Sequence, residues 1–299
     1  MKLKSIYEMW SWTCAVRFNE NDNISILDDK TTPFCVVPNS NKYWCADPFL
    51  FEKNGQLYLF FEAFDIFKRK GLLGYRTIDK NGFGEIQIIY EDKHHLSFPC
   101  IFEDENGIYI IPESSKSDEL FRLKCVSFPD KWEKDLLLME GSFVDTVRYV
   151  NDDAEFLITE RIDDNHIYDR VDLFTLINSL VIESENNPQK RDLSSARGAG
   201  AICDINGRII RPSQDCSDSY GEKLALNEIV SINEKCLEER VIDRLSFKDI
   251  KYQGNIIADG IHTYGKLGSV EVIDLRIPGR FNLRYTLGFV NKIKDKFIR

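Results

Sequence analysis

Short apolar runs broken by tight-turn residues recur along the chain about every 50 residues, widening to about 60 at the end. Five segments share one plan: DPFLFEKNGQLYLFFEA from Asp47, FPCIFEDENGIYIIPES from Phe98, DTVRYVNDDAEFLITER from Asp145, GAGAICDINGRIIRPSQD from Gly198 and GIHTYGKLGSVEVIDLR from Gly260. Each has an apolar run, a turn, a second apolar run and a closing polar residue. The turns are Asn54-Gly55, Asn106-Gly107, Asp152-Asp153, Asn206-Gly207 and Leu267-Gly268. Asn-Gly tolerates the positive φ of a type I′ turn and is a strong hairpin signal. The inner runs are apolar almost throughout, as buried strands are.

Between these hairpins the pattern alternates more clearly. Gly71–Ile78, Glu85–Glu91, Glu119–Phe128 and Lys131–Met139 read as outer strands. Long helical periodicity is nearly absent. The fold class predicted is all-β, a five-bladed β-propeller of four-stranded sheets, with a short C-terminal helix. The apolar stretch Trp12–Phe18 is expected to close the ring by pairing with the last blade, which removes an exposed edge. No linker or low-complexity run divides residues 1–299, so one domain is expected. The tail 289–299 places Phe289, Ile293 and Phe297 on one face among Lys292, Lys294, Lys296 and Arg299, a basic amphipathic pattern. It caps the fold or touches anionic lipid.

Composition narrows the function. Of 299 residues, 43% are hydrophobic and 29% charged, which excludes disorder as the main state. A net charge of −10 argues against nucleic acid as a partner. The N-terminus has no apolar h-region, and the eight cysteines are scattered without zinc-ligand spacing. The expectation is a cytoplasmic protein in a reducing compartment, with peripheral contact at the inner membrane face through the tail. No dinucleotide fingerprint, phosphate loop, HExxH or GxSxG is present, so no cofactor is predicted. The acids are able to hold a divalent metal, but no ligand spacing demands one.

A propeller brings equivalent positions of distant blades to one mouth. The starts of the inner strands carry Asp47, Ser97, Asp145, Gly200 and His262; the ends of the second strands carry Glu62, Glu113, Glu160, Asp215 and Asp274. So many acids need compensation, which Arg161, Arg197, Arg211 and Arg276 offer. Such a cluster suits sugar hydroxyls and acid/base chemistry. The catalytic candidates are Asp47, Glu113 and Asp145. The substrate-binding candidates are Trp44, Glu62, His95, Glu160, Arg197, Arg211, Asp215 and His262. Structural roles compete throughout: Asp47 precedes Pro48 as turn initiators do, Glu160 and Asp274 suit ion pairing, and lone histidines are commonly structural. The glycines of RGAGA (197–201) permit close backbone approach.

The motifs Ala46-Asp47-Pro48-Phe49, FFEAF, HLSFP, IPES, VDT, ARGAGA, RPSQDCSDSYG and GIHTY stand in this order between Trp44 and Arg276. Together they resemble the propeller domain at the N-terminus of glucosamine inositolphosphorylceramide transferases and in bacterial proteins of surface-polysaccharide loci. That domain is similar to the five-bladed fold of family 43-type glycoside hydrolases. The resemblance implies a carbohydrate site on the axis. It implies Asp47 as general base and Asp145 as the acid that tunes pKa and orientation. The general acid is a Glu, for which Glu113 and Glu160 compete, with Asp215 and Glu228 as further contributors.

The function expected is a glycosyltransferase that uses an activated nucleotide sugar in surface-polysaccharide or glycolipid biosynthesis. Its partners are that donor and a glycan or lipid-linked acceptor. Asp47 would deprotonate the acceptor, while Arg197 and Arg211 stabilise the departing phosphate. A glycoside hydrolase with paired carboxylates and a non-catalytic sugar-binding module are the alternatives.

Overall fold

A computed structural model describes residues 10–152, 154–163 and 168–279. Its strands form five sheets arranged as an all-β five-bladed propeller. The first blade runs outward through Tyr43–Lys53, Gln56–Asp65 and Lys70–Asp79 to the short edge pieces Gly82–Phe83 and Gln87–Tyr90. The second comprises Ser97–Asp104, Gly107–Glu113, Glu119–Ser127 and Lys131–Glu140. Phe143–Val150, Glu155–Arg161, Arg170–Ile177 and Leu180–Glu183 make the third, with Lys190–Arg191 beside its third strand. The fourth contains Cys203–Ile205, Arg208–Asp215, Lys223–Asn233 and Cys236–Ser246.

The fifth blade is assembled from both ends of the chain. Tyr264–Leu267 and Val270–Ile277 are its inner strands, Ser11–Phe18 its third and Phe34–Val36 its fourth, with Tyr252–Gln253 parallel at the edge. Ser11–Phe18 pairs with Val270–Ile277 without a register break, from Ser11↔Ile277 to Phe18↔Val270. The ring closure expected of Trp12–Phe18 is therefore present. A buried ion pair pins it, Arg17 to Glu271 at 2.5 Å. Glu271 also accepts from Asn19 Nδ2, the Ile26 N–H and the Tyr264 hydroxyl, each at 2.7 Å. These extra donors offset the desolvation cost of burying the pair.

Hydrophobic seams between blades hold the ring. Phe49 and Phe60 of the first blade meet Phe98, Ile110 and Phe121 of the second, and the cluster runs on to Phe156 and Phe174 of the third. Each such ring, moved out of water, contributes about 1.5–3 kcal/mol. Both residues of Asn54-Gly55 and of Asn206-Gly207 adopt positive φ, the type I′ geometry anticipated from their sequence. Gly200, at φ 121, lies where a Cβ would come within 2.2 Å of the Tyr264 carbonyl; RGAGA thus gives the backbone its close approach.

The helix expected over 289–299 lies outside the described residues, and the only helical piece among those described is the 3-10 turn Ser115–Ser117. No described helix is long and apolar enough to cross a membrane.

Candidate functional site

The site begins with a backbone irregularity repeated in three blades. The inner strand slips register between Ala46 and Phe49, between Ser97 and Cys100, and between Val144 and Val147. At each slip two residues face one on the partner strand, which is a β-bulge. The first bulged residue has positive φ each time: Asp47 at 50°, Phe98 at 46° and Asp145 at 50°. Aspartate tolerates this conformation better than most residues, and phenylalanine poorly. The equivalent of Asp47 in the second blade is therefore Phe98, one residue past the Ser97 expected. Its ring fills the core against Phe49, centroids 4.9 Å apart.

Facing each bulge across the hairpin is a glutamate. Glu62 pairs with Ala46, Glu113 with Ser97 and Glu160 with Val144. The fourth and fifth blades depart from this frame. There the pairs at the mouth are Gly198↔Ser213 and Gly260↔Arg276, so Asp215 lies two residues beyond the frame and Asp274 two residues inside it.

Asp274 is fully buried and works as a hub. It accepts from the backbone N–H groups of Asp47 at 3.1 Å, His262 at 3.1 Å and Thr263 at 2.9 Å. Its second oxygen lies 2.6 Å from His262 Nδ1. The other imidazole nitrogen faces Asp47 Oδ1 at 3.6 Å, and Trp12 stacks on the ring at 3.7 Å. Burial opposes charge on His262, but Asp274 and Asp47 outweigh it and raise its pKa above the ordinary value. Among the described residues, Asp47, His262 and Asp274 form a group that could hold a metal ion, their ligand atoms lying within 4.8 Å of one another.

The acids differ in protonation. Burial pushes Asp47 up to about 6, against the pull of His262. Burial and the Asp145 charge push Glu113 up to about 8. Glu160 also rises to about 8 through burial, although Arg197 pulls the other way. Burial, then the Asp47 and Glu113 charges, hold Glu62 well above the usual carboxylate range. Asp145 is tied to Arg197, whose Nε lies 2.5 Å from its carboxylate. Glu62 lies 3.4 Å from His95 Nε2, while His95 Nδ1 accepts the Gly71 N–H at 2.9 Å.

Thus Asp47, Glu62, Glu113, Asp145, Glu160, Arg197 and His262 meet at one mouth, with His95 at its edge. Three expected residues do other work. Arg211 is 1% exposed and turns away, forking onto Glu239 and the carbonyls of Ser195 and Ala196. Asp215 is held by Arg244 of the outer strand at 2.9 Å. Glu228, on the third strand, faces Arg240 at 2.5 Å. Trp44 stays beside the mouth, flat on Phe64 with centroids 4.4 Å apart and in one cluster with Trp12 and Tyr220. Of the arginines expected to balance the acids, Arg161 pairs with Glu183 and Arg276 with Asp259.

Three residues at the mouth had no role assigned from sequence: Trp12, Thr263 and Tyr220. Thr263 donates to Asp47 Oδ1 at 3.3 Å, and Tyr220 meets His262 edge-on at 5.6 Å. Tyr220 carried a signal, since it sits in the motif RPSQDCSDSYG.

Comparison with known proteins agrees with this architecture. The catalytic domain of the Coprinopsis cinerea GH62 α-L-arabinofuranosidase superposes with a TM-score of 0.56 at 12% identity, over 81% of this chain and 94% of that one. A family 117 glycoside hydrolase of Zobellia galactanivorans gives 0.53 at 10% identity, over 91% and 90%. At such identities the likeness concerns the fold. Among curated proteins, glucosamine inositolphosphorylceramide transferase 1 of Oryza sativa subsp. indica is 29% identical over 216 residues, 69% of this chain and 29% of the relative. The chain thus spans less than a third of the length of that relative. Residues 34–262 match the family described as glucosamine inositolphosphorylceramide transferase 1, N-terminal, and the chain belongs to that family.

Proposed function

We propose that this domain transfers a glycosyl group at its axial mouth, with Asp47 as base and Glu113 as acid. One observation carries the reading: two acids at one mouth are poised in opposite states near neutral pH, Asp47 at about 6 and Glu113 at about 8. Environments that split paired carboxyls in this way assign the base and the acid. Asp47 takes the proton of the incoming hydroxyl while that oxygen bonds to the anomeric carbon. The old glycosidic bond breaks, and Glu113 gives its proton to the leaving oxygen. Arg197 holds Asp145 beside Glu113, so the charge of Asp145 helps keep Glu113 protonated.

The name of the rice relative supports transfer to a glycolipid headgroup as the role of the whole protein. Arg211 is committed to Glu239 and so is not available to a donor diphosphate, which leaves Arg197 as the cation at the mouth. A protonated Glu113 is suited instead to a donor whose leaving oxygen becomes a hydroxyl. Hydrolysis, with water as acceptor, is the second reading, favoured by that same protonated acid. Action on the cytoplasmic side belongs to the proposal and draws on eight free thiols.

The test is turnover of aryl glycosides with and without glycolipid acceptors, beside a nucleotide-sugar panel. Transfer should occur from the glycosides and fall roughly 10²–10⁴-fold in Asp47→Asn. Undiminished turnover in Asp47→Asn removes the proposal, and free sugar formed at the same rate without acceptor selects hydrolysis.

A further inference from the structure

Arg197 is 7% exposed, yet most of its hydrogen-bonding capacity is unspent. Its Nε meets Asp145 at 2.5 Å. The guanidinium lies 4.4 Å over the Tyr168 ring and 4.9 Å over that of Tyr220. Its two terminal amino groups carry four N–H donors, and none has a hydrogen-bond partner among the described residues.

Of the four other buried arginines, Arg76 gives one terminal group to the Pro38 carbonyl, and three spend both terminal groups. Arg17 spends its terminal groups on the carbonyls of Asp29 and Thr32 and on Glu271. Those of Arg211 bind the carbonyls of Ala196 and Ser195 and the Glu239 carboxylate. Arg276 uses the carbonyls of Tyr220 and Asp259. The terminal groups of Arg197 bond to none of the described side chains or carbonyls, and they are not sealed off from the mouth. At the mouth of a site, such a fork is prepared for a ligand. Its planar geometry matches a carboxylate or a phosphate, held by two parallel bonds.

The surroundings suit an anion. The Asp145 carboxylate takes only the Nε side of Arg197. Burial pushes Glu113 and Glu160 up to about 8, so at neutral pH they add little repulsion toward an oxyanion. The two tyrosine rings hold the fork in place.

We infer that the mouth takes a sugar bearing an oxyanion, a carboxylate or a phosphate, and that Arg197 receives this group on its free edge. The inference rests on the sugar-site reading above and names its substrate class.

Calorimetry on the full chain tests it with two matched pairs: methyl glucuronide against methyl glucoside, and glucose phosphate against glucose. The anionic member of at least one pair should bind about tenfold or more tightly than its neutral parent. The pair that shows the preference tells carboxylate from phosphate. Arg197→Gln should abolish the preference while neutral sugar still binds. Because that change leaves Asp145 unbalanced, the double variant Asp145→Asn/Arg197→Gln, which removes both charges, provides the same readout if the single variant fails to fold. Equal binding of charged and neutral sugars, or a preference that survives without Arg197, overturns the inference and leaves the sugar site standing. If no probe binds the folded wild type, the sugar site and this inference fall together.

Discussion

At the scale of residues, the mouth is a set of carboxyls whose burial decides which of them carry protons. With Asp47 as base and Glu113 as acid, kcat/KM should be bell-shaped, with limbs near about 6 and about 8. The two acids interact, so the limbs belong to the pair, and Glu113→Gln should remove the alkaline one. A flat profile across that window would exclude the assignment. Stability follows from the same groups. Folded Glu160 keeps its proton up to about 8, whereas an ordinary glutamate loses it near 4.5. The native state therefore holds more protons between these values, and stability falls as pH climbs through that window. Glu160→Gln cannot ionise, so it should be more stable than wild type at pH 8, by on the order of 1–2 kcal/mol, and no more stable at pH 4. Thermal melts at the two pH values check this. The sequence pointed to Asp47, Glu113 and Asp145 because their places in the repeat were visible. It did not reveal that Arg197 keeps its fork free while Arg211 spends its own, because that depends on Glu239, a distant partner on another strand.

At the scale of elements, the bulge sets the geometry. Positive φ at Phe98 costs about 1–2 kcal/mol. Its ring, buried against Phe49, is worth about 3–5 kcal/mol in a truncation. Packing wins, so Phe98→Gly should lower stability by roughly 2–3 kcal/mol in spite of relieved strain, as read by denaturant midpoint. A more stable Phe98→Gly would show that strain dominates. Gly71 is a second point of contact. An added Cβ would lie 2.3 Å from the Leu96 carbonyl and 2.5 Å from Glu62 Oε1. Gly71→Ala should cost about 1–3 kcal/mol and displace the Glu62–His95 contact, visible as a shifted His95 ring resonance. The hairpins themselves were readable from turn residues and apolar runs, which are local signals. The bulges were hidden, because two residues facing one look no different in a linear pattern. The same blindness put Asp215 and Asp274 into the frame of the three glutamates, from which each departs by two residues in opposite directions.

At the scale of the whole molecule, closure joins residues more than two hundred positions apart. Trp12–Phe18 was recognisable as a strand, and the need to cover an edge indicated its partner. The buried lock on Glu271 was not recognisable, since its donors come from Arg17, Asn19, Ile26 and Tyr264. Glu271→Gln leaves the Arg17 charge buried without its counterion, so it should cost about 3–5 kcal/mol and melt the molecule as one unit. A small effect would mean that Arg17 finds water or another acceptor, and that the strand pairing alone suffices to hold the ring.

The seam where the chain meets itself also sets where the described chain enters and leaves the ring. Ser11 lies opposite Ile277, at the rim that carries the axial acids, so both routes out of the ring depart side by side from that rim. The Asn54-Gly55 and Asn206-Gly207 turns occupy the other face, where the inner hairpins reverse. The described chain thus enters and leaves the ring on the acidic side, with Trp10 and Gly279 as its outermost residues.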